Sequence, residues 1–186
     1  FEGKTWKKIL VELLELCGLK NPEGDERFNK VLYDFKPIED AINSKENPIW
    51  KIEGVEDLIN RLIKNGHSLG LLTGNSYEGS RIKLEAVDLW KYFKFGAYGT
   101  ETKVRGKLVE IALEEAKKET GKTFDKEDVF IIGDTPVDIE CAKYGKVKSL
   151  AVATGNISYE DLEKENPDYL FKDFSDMDVI LGAIEE

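Results

Sequence analysis

Apolar positions recur every three to four residues at the start of the chain: Trp6, Ile9, Leu10, Leu13, Leu14 and Leu16. That spacing gathers them on one stripe of a helix, and Gly18 is placed to stop it. Phe28, Val31, Leu32 and Phe35 predict a second helix that ends near Pro37. The polar stretch 43–48 then reads as a linker. Residues 1–47 are thus expected to form a small α-helical unit.

The pattern changes after residue 48. Val55, Leu58, Ile59, Leu62 and Ile63 predict a helix that stops at Asn65-Gly66. A buried strand follows over 68–73, then a helix over 77–92 and a short strand over 95–98. The spacing of Leu108, Ile111, Ala112, Leu113 and Ala116 predicts a strong helix over 105–120. An apolar run at 129–132 reads as a buried strand ending at Gly133-Asp134. A helix over 136–143, strands over 149–154 and 169–171, and a last helix complete the chain. Such alternation defines an α/β protein: a Rossmann-like parallel sheet covered by helices on both faces.

In sheets of this kind ligands bind beyond the carboxyl ends of the strands. That rule selects four clusters, all expected on one edge: Thr73-Gly74-Asn75, Tyr98-Gly99-Thr100, Gly133-Asp134-Thr135 and Thr154-Gly155-Asn156. In the first, a hydroxyl followed by glycine can donate to an anion, and the glycine lets backbone N–H groups turn toward it. Taken alone, an ordinary strand-to-helix turn explains it as well. The second chemical signal is the pair Asp134 and Asp138. Two carboxylates ~4 Å apart at an effective dielectric of ~20 repel by about 4 kcal/mol, and a magnesium ion relieves that repulsion with the oxygen ligands it prefers. The competing account makes Asp134 a helix N-cap and Asp138 a first-turn acid favoured by the helix dipole. Lys103, Arg105 and Lys107 precede the next helix, and any of them can reach a phosphate or hold a carboxylate ionised.

Other residues narrow the chemistry. His67 is the only histidine and sits in a turn before a strand, on the edge away from the candidate site. One histidine and two separated cysteines, Cys17 and Cys141, exclude a zinc site built on this pattern. A Ser-His-Asp triad is equally unsupported. The 186 residues suffice for one domain, or one domain with a small insert. Charged residues make up 34%, above the roughly 25% of an average soluble domain, and their Lys and Glu bias is compatible with a heat-adapted source. The net charge of -10 argues against nucleic-acid binding. Two cysteines read as reduced thiols of a cytoplasmic protein. No apolar run approaches the ~20 residues that span a bilayer, and no secretory signal is visible.

These residues resemble the haloacid dehalogenase superfamily. Leu71-Leu72-Thr73-Gly74-Asn75 is similar to its second motif, and Gly133-Asp134-Thr135-Pro136-Val137-Asp138 to its fourth, the acids that hold magnesium. Residues 54–75 and 166–171 are similar to its phosphoglycolate-phosphatase-like branch, and the resemblance covers 48–186. It implies a core over 48–186 with an α-helical cap over 1–47, inserted between the first and second motifs. Aligning the helix at 111–113 makes Arg105 the third-motif cation, with Lys103 as the alternative. The family's first motif, a hydrophobic strand followed by Asp-x-Asp-Gly-Thr, is absent from the chain. Since the chain starts at Phe1 and its only methionine is Met177, an upstream segment of roughly 20 to 30 residues carrying that strand is expected.

The resemblance implies a magnesium-dependent phosphatase acting on a small phosphorylated metabolite through an aspartyl-phosphate. Thr73, Arg105 and Asp134 would be catalytic. Thr73, Gly74, Asn75, Arg105 and Lys103 would bind phosphate, and Asp134 and Asp138 would serve the metal. Alternatives on the same core are a phosphomutase, a phosphonate hydrolase, or a non-catalytic module that binds phosphate or a partner.

Overall fold

The computed structural model describes residues 3–34, 40 and 49–185. The expected linker at 43–48 lies outside them, and the second helix, expected to end near Pro37, already ends at Leu32.

The chain opens with α1 (Trp6–Leu16), capped by Thr5, whose hydroxyl accepts from the Lys8 N–H at 3.3 Å. Leu10 and Val11 of α1 pack against Phe28 and Leu32 of α2 (Phe28–Leu32). The Trp6 indole N–H donates to the Leu32 carbonyl at 2.9 Å and fixes how the two helices meet.

The second part carries α3 (Val55–Lys64), β1 (Gly70–Thr73), α4 (Tyr77–Glu85), β2 (Phe95–Tyr98) and α5 (Leu108–Thr120). These are followed by β3 (Phe130–Gly133), α6 (Pro136–Gly145), β4 (Lys148–Val152), α7 (Tyr159–Lys164), β5 (Tyr169–Phe171) and α8 (Met177–Glu185). Among the described residues every strand pairing is parallel. Side chains alternate between two helical layers, as a pleated strand requires. Leu150 and Val152 face the cluster built on α3 and α8, while Ala151 faces Ile139 of α6 and Leu162 of α7.

The expected elements are present, with the strands expected over 68–73 and 149–154 shortened to Gly70–Thr73 and Lys148–Val152, and with larger differences elsewhere. The helix expected over 77–92 ends at Glu85, because Asp88 adopts a left-handed conformation (φ +57°) that no helix can pass through. A short 3₁₀ turn then covers Trp90–Tyr92. The helix expected from 105 starts with a 3₁₀ turn over Arg105–Lys107. The single expected sheet is, among the described residues, two sheets, β2-β1 and β3-β4-β5. β1 and β3 are therefore both edge strands. Between them lies a cavity of about 270 Å³, lined by Leu71 and Leu72 from β1, Phe130 and Ile131 from β3, and Leu113 from α5. Ile132 in β3 is an exposed apolar residue on that edge, at 38%. Among the described residues no helix is long and apolar enough to cross a membrane.

Candidate active site

Three backbone turns meet where α1 begins. The first N–H groups of a helix have no partner inside it. In α1 the Trp6 N–H donates to the Gly74 carbonyl at 2.7 Å and the Lys7 N–H to the Gly99 carbonyl at 2.8 Å. The Gly99 N–H in turn donates to the Asn75 carbonyl at 2.6 Å. The helical unit is thereby docked onto the turns that follow β1 and β2. Glycine is required at the crossing: a Cβ on Gly99 would lie 1.8 Å from the Gly74 carbonyl oxygen.

Thr73 closes β1. Its hydroxyl oxygen accepts from the Asn75 backbone N–H at 3.1 Å and from the Asn75 side-chain amide at 3.3 Å. Ser76 then caps α4 by accepting from the Gly79 N–H at 3.1 Å. At the end of β3, Asp134 is followed by Thr135 and Pro136, which start α6 with a capping box. Asp138 Oδ2 accepts from the Thr135 hydroxyl at 2.8 Å and its N–H at 3.2 Å. Its other oxygen, Oδ1, accepts from Arg105 Nη2 at 2.7 Å. Both Asp138 oxygens are engaged: it is a first-turn acid, as the competing sequence account held, and it anchors a cation, but the N-cap which that account gave to Asp134 is Thr135.

Arg105 joins the two halves of the site. Nη2 holds Asp138, while Nη1 lies 3.2 Å from where a Cβ on Gly74 would stand. Its Nε is buried with no partner among the described residues. Lys103, the alternative cation, points elsewhere and forms an ion pair with Glu23 of the helical unit, which also pairs with Lys7. Lys107 is exposed. His67 lines the cavity between β1 and β3 and lies 3.8 Å from Glu185, outside this constellation.

Asp134 is half-buried, and burial, reinforced by the nearby Asp138 charge, raises its pKa above the ordinary aspartate value; Arg105 opposes this. Gly155, after β4, leaves room for it, since a Cβ there would meet Asp134 Oδ2 at 2.2 Å. The turns after β1 and β2 thus touch each other, as do those after β3 and β4, and Arg105 reaches from the first pair to the second. Cys141 is buried behind Arg105, and burial pushes its thiol up to about 11, so it offers no thiolate nucleophile. The sequence reading missed one residue here: Lys83 of α4, whose Nζ lies 3.5 Å from Asn75 Oδ1. Its separation of eight residues from Asn75 carries no motif. The signal available was a lysine on the α4 face that turns back to β1.

Those features define the class. The chain belongs to the haloacid dehalogenase-like hydrolase family, whose sequence profile matches residues 11–152. A protein of Caldanaerobacter subterraneus subsp. tengcongensis described as pyrophosphatase PpaX is 29% identical over 181 residues, which is 94% of this chain and 80% of that one. A solved structure described as a phosphatase from Clostridium difficile is 26% identical with a TM-score of 0.61, over 70% of this chain and 60% of that one. A hydrolase from Pseudomonas syringae shares the fold at 17% identity and a TM-score of 0.67, over 98% of this chain and 80% of its own. A Clostridium acetobutylicum structure, likewise described as a phosphatase, shares the fold at 24% identity and a TM-score of 0.61, over 59% of its length. The match thus takes in less than two thirds of either clostridial chain.

Proposed function

We propose that this protein hydrolyses the phosphate ester or anhydride of a small metabolite, using magnesium and a nucleophile supplied from outside the described residues. The observation that carries the proposal is Arg105, which ties the hydroxyl turn at Thr73 to the acid turn at Asp134 and Asp138. A phosphoryl group seated there meets the Thr73 hydroxyl, the Gly74 N–H and a guanidinium suited to paired oxygens, while the Asn75 N–H, expected to serve the same anion, is spent on the Thr73 oxygen. Fixed donors of this kind act where charge develops, and in a half-buried site they are worth more than in water.

The donor set suits magnesium. Asp134 offers a half-buried carboxylate made costly by burial and by Asp138, and magnesium is commonly held by one or two carboxylates together with substrate phosphate and waters. Among the described residues no group of three or more acidic, histidine or cysteine side chains could hold a metal by itself. Asp134 would be the direct ligand, and Asp138, already bound on both oxygens, would orient the site. When bound, the ion would offset negative charge on the phosphoryl oxygens.

The nucleophilic aspartate would arrive on a strand lying between β1 and β3. Two edge strands facing one apolar cavity support that placement, because exposed strand edges in mid-sheet leave backbone donors and acceptors unpaired. The helical unit, docked over the same turns, would exclude water and select the leaving group. The relative described as a pyrophosphatase makes pyrophosphate one substrate to test beside p-nitrophenyl phosphate. The test is phosphate release by the full chain. It should require Mg²⁺ and vanish in Asp134→Asn. Ordinary turnover by that variant, or turnover in the presence of a chelator, refutes the assignment.

A further inference from the structure

A hydroxyl has one proton to give and two lone pairs to fill. Thr73 accepts at its oxygen from both the backbone N–H and the side-chain amide of Asn75, at 3.1 and 3.3 Å. With both lone pairs taken, its proton can only be donated elsewhere. That makes Thr73 an obligate donor toward an anion, provided the Asn75 amide keeps its NH₂ turned to Thr73. A flipped amide would present its oxygen instead and would take the Thr73 proton for itself.

Lys83 decides between these orientations. Its Nζ stands 3.5 Å from Asn75 Oδ1. At that length the contact is charge against dipole more than a directed hydrogen bond, but its sign is unambiguous. An ammonium has three donors and no acceptor, so it favours the amide oxygen and disfavours the NH₂ group at the same place. Lys83 also has no carboxylate partner among the described residues, unlike Lys91 with Asp88 or Lys164 with Asp161. In a chain of 37 acidic against 27 basic residues, a partly buried lysine left without an acid is a placed charge. Burial holds its pKa below the ordinary lysine value, with no acid to offset the effect.

We propose that Lys83 is a positioning residue for the phosphoryl cradle, locking Asn75 so that the Thr73 hydroxyl points its proton at the bound anion. The inference rests on the phosphatase reading and deepens it. Lys83 acts through Asn75, and it need not touch the substrate.

The probe is inorganic phosphate, titrated calorimetrically into the full chain and into Lys83→Met, Lys83→Arg, Asn75→Ala, Thr73→Val and the double variant Lys83→Met/Asn75→Ala. Lys83→Met should weaken phosphate binding about tenfold, equivalent to roughly 1.4 kcal/mol. Lys83→Arg, which keeps the donor, should stay within about twofold of the parent. In the Asn75→Ala background the Lys83→Met change should have almost no further effect, because the residue through which it acts is gone. Unchanged binding in Lys83→Met overturns the inference. So do effects that multiply in the double variant, which would mean a direct charge effect on the anion. Lys83→Gln, of similar length and polar, serves if the methionine variant unfolds. Failure of the parent to bind phosphate, or equal binding by Thr73→Val, rejects the phosphoryl cradle itself and Lys83's role with it. Loss in Thr73→Val with none in any Lys83 variant rejects the positioning role alone.

Discussion

Arg105 Nη2 lies 2.7 Å from Asp138 Oδ1, and both side chains are largely withdrawn from solvent, at 19% and 13% exposure. The same Asp138 closes the capping box of α6 through its second oxygen. One carboxylate therefore fixes the start of a helix and the direction of the site's cation. Its removal leaves the guanidinium without its partner and the helix without its cap.

Asp138→Ala should therefore lower unfolding stability by about 2–3 kcal/mol, somewhat less than the roughly 3–5 kcal/mol for breaking a fully buried pair, since this one keeps some solvent contact. Asp138→Asn should cost less, because an amide oxygen can still accept from Thr135 or Arg105. Urea denaturation measures both. Equal losses in the two variants would show that the charge paired with Arg105 carries the whole effect and the acceptor for Thr135 none of it.

Lys103 and Arg105 should separate cleanly. Lys103 pairs with Glu23 in a half-exposed contact, and such pairs contribute about 0–1 kcal/mol. Lys103→Met should accordingly change stability by less than about 1 kcal/mol and leave phosphate affinity within a few-fold. Arg105→Met removes a fixed donor from the phosphoryl position and should reduce kcat/KM on the order of 100-fold. The reverse ranking would reassign the cation.

Much of this site is legible in the chain's pattern alone. The strand ends at Thr73 and Gly133 follow from apolar runs bounded by glycine, and the hydroxyl and acid types there are the ones phosphate chemistry needs. The choice between Arg105 and Lys103 is legible only as a preference for Arg105 drawn from the family resemblance. They differ by two residues in a basic turn, and only the 3₁₀ turn over Arg105–Lys107 aims one at Asp138 and leaves the other to Glu23. Asp138's double engagement is visible in the sequence only as two competing accounts, of which the geometry keeps the first-turn acid, moves the N-cap from Asp134 to Thr135 and adds the ion pair. The separation of β1 from β3 is unreadable from periodicity, because a strand's pattern does not name its neighbour. Lys83 escapes for the same reason: its partner, Asn75, is set by how α4 folds back on β1.

Gly133 and Gly182 make a contrasting pair of glycines. A Cβ on Gly133 would stand 2.4 Å from Asp138 Oδ2, and Asp138 is held by Thr135 and Arg105, so it has nowhere to go. Gly133→Ala should cost about 1–3 kcal/mol as overpacking, together with activity. Gly182 sits inside α8, and a methyl group there would meet open space, so alanine should stabilise by roughly 0.5–1 kcal/mol. Thermal denaturation of the two variants side by side decides the matter, and a neutral Gly133→Ala would mean the turn has slack that its geometry denies.

Asp134 gives stability a pH dependence of definite sign. Burial and the Asp138 charge raise its pKa in the folded chain above the ordinary 3.8. Between 3.8 and the raised value, the folded state holds a proton that the unfolded state has released. Its contribution to stability therefore falls as pH rises through that window, and stays low above it. Without divalent cations, Asp134→Asn should lack this component and melt at a higher temperature than the parent at pH 7. Magnesium should reverse the order. At ten times its dissociation constant it adds about 1.4 kcal/mol to the parent, while the asparagine variant, having lost the ligand charge, should gain little. Melting curves at pH 4.5 and 7, with Mg²⁺ or with a chelator, test both halves at once. A parent that ignores magnesium while the variant responds to it would remove Asp134 from the metal's ligands.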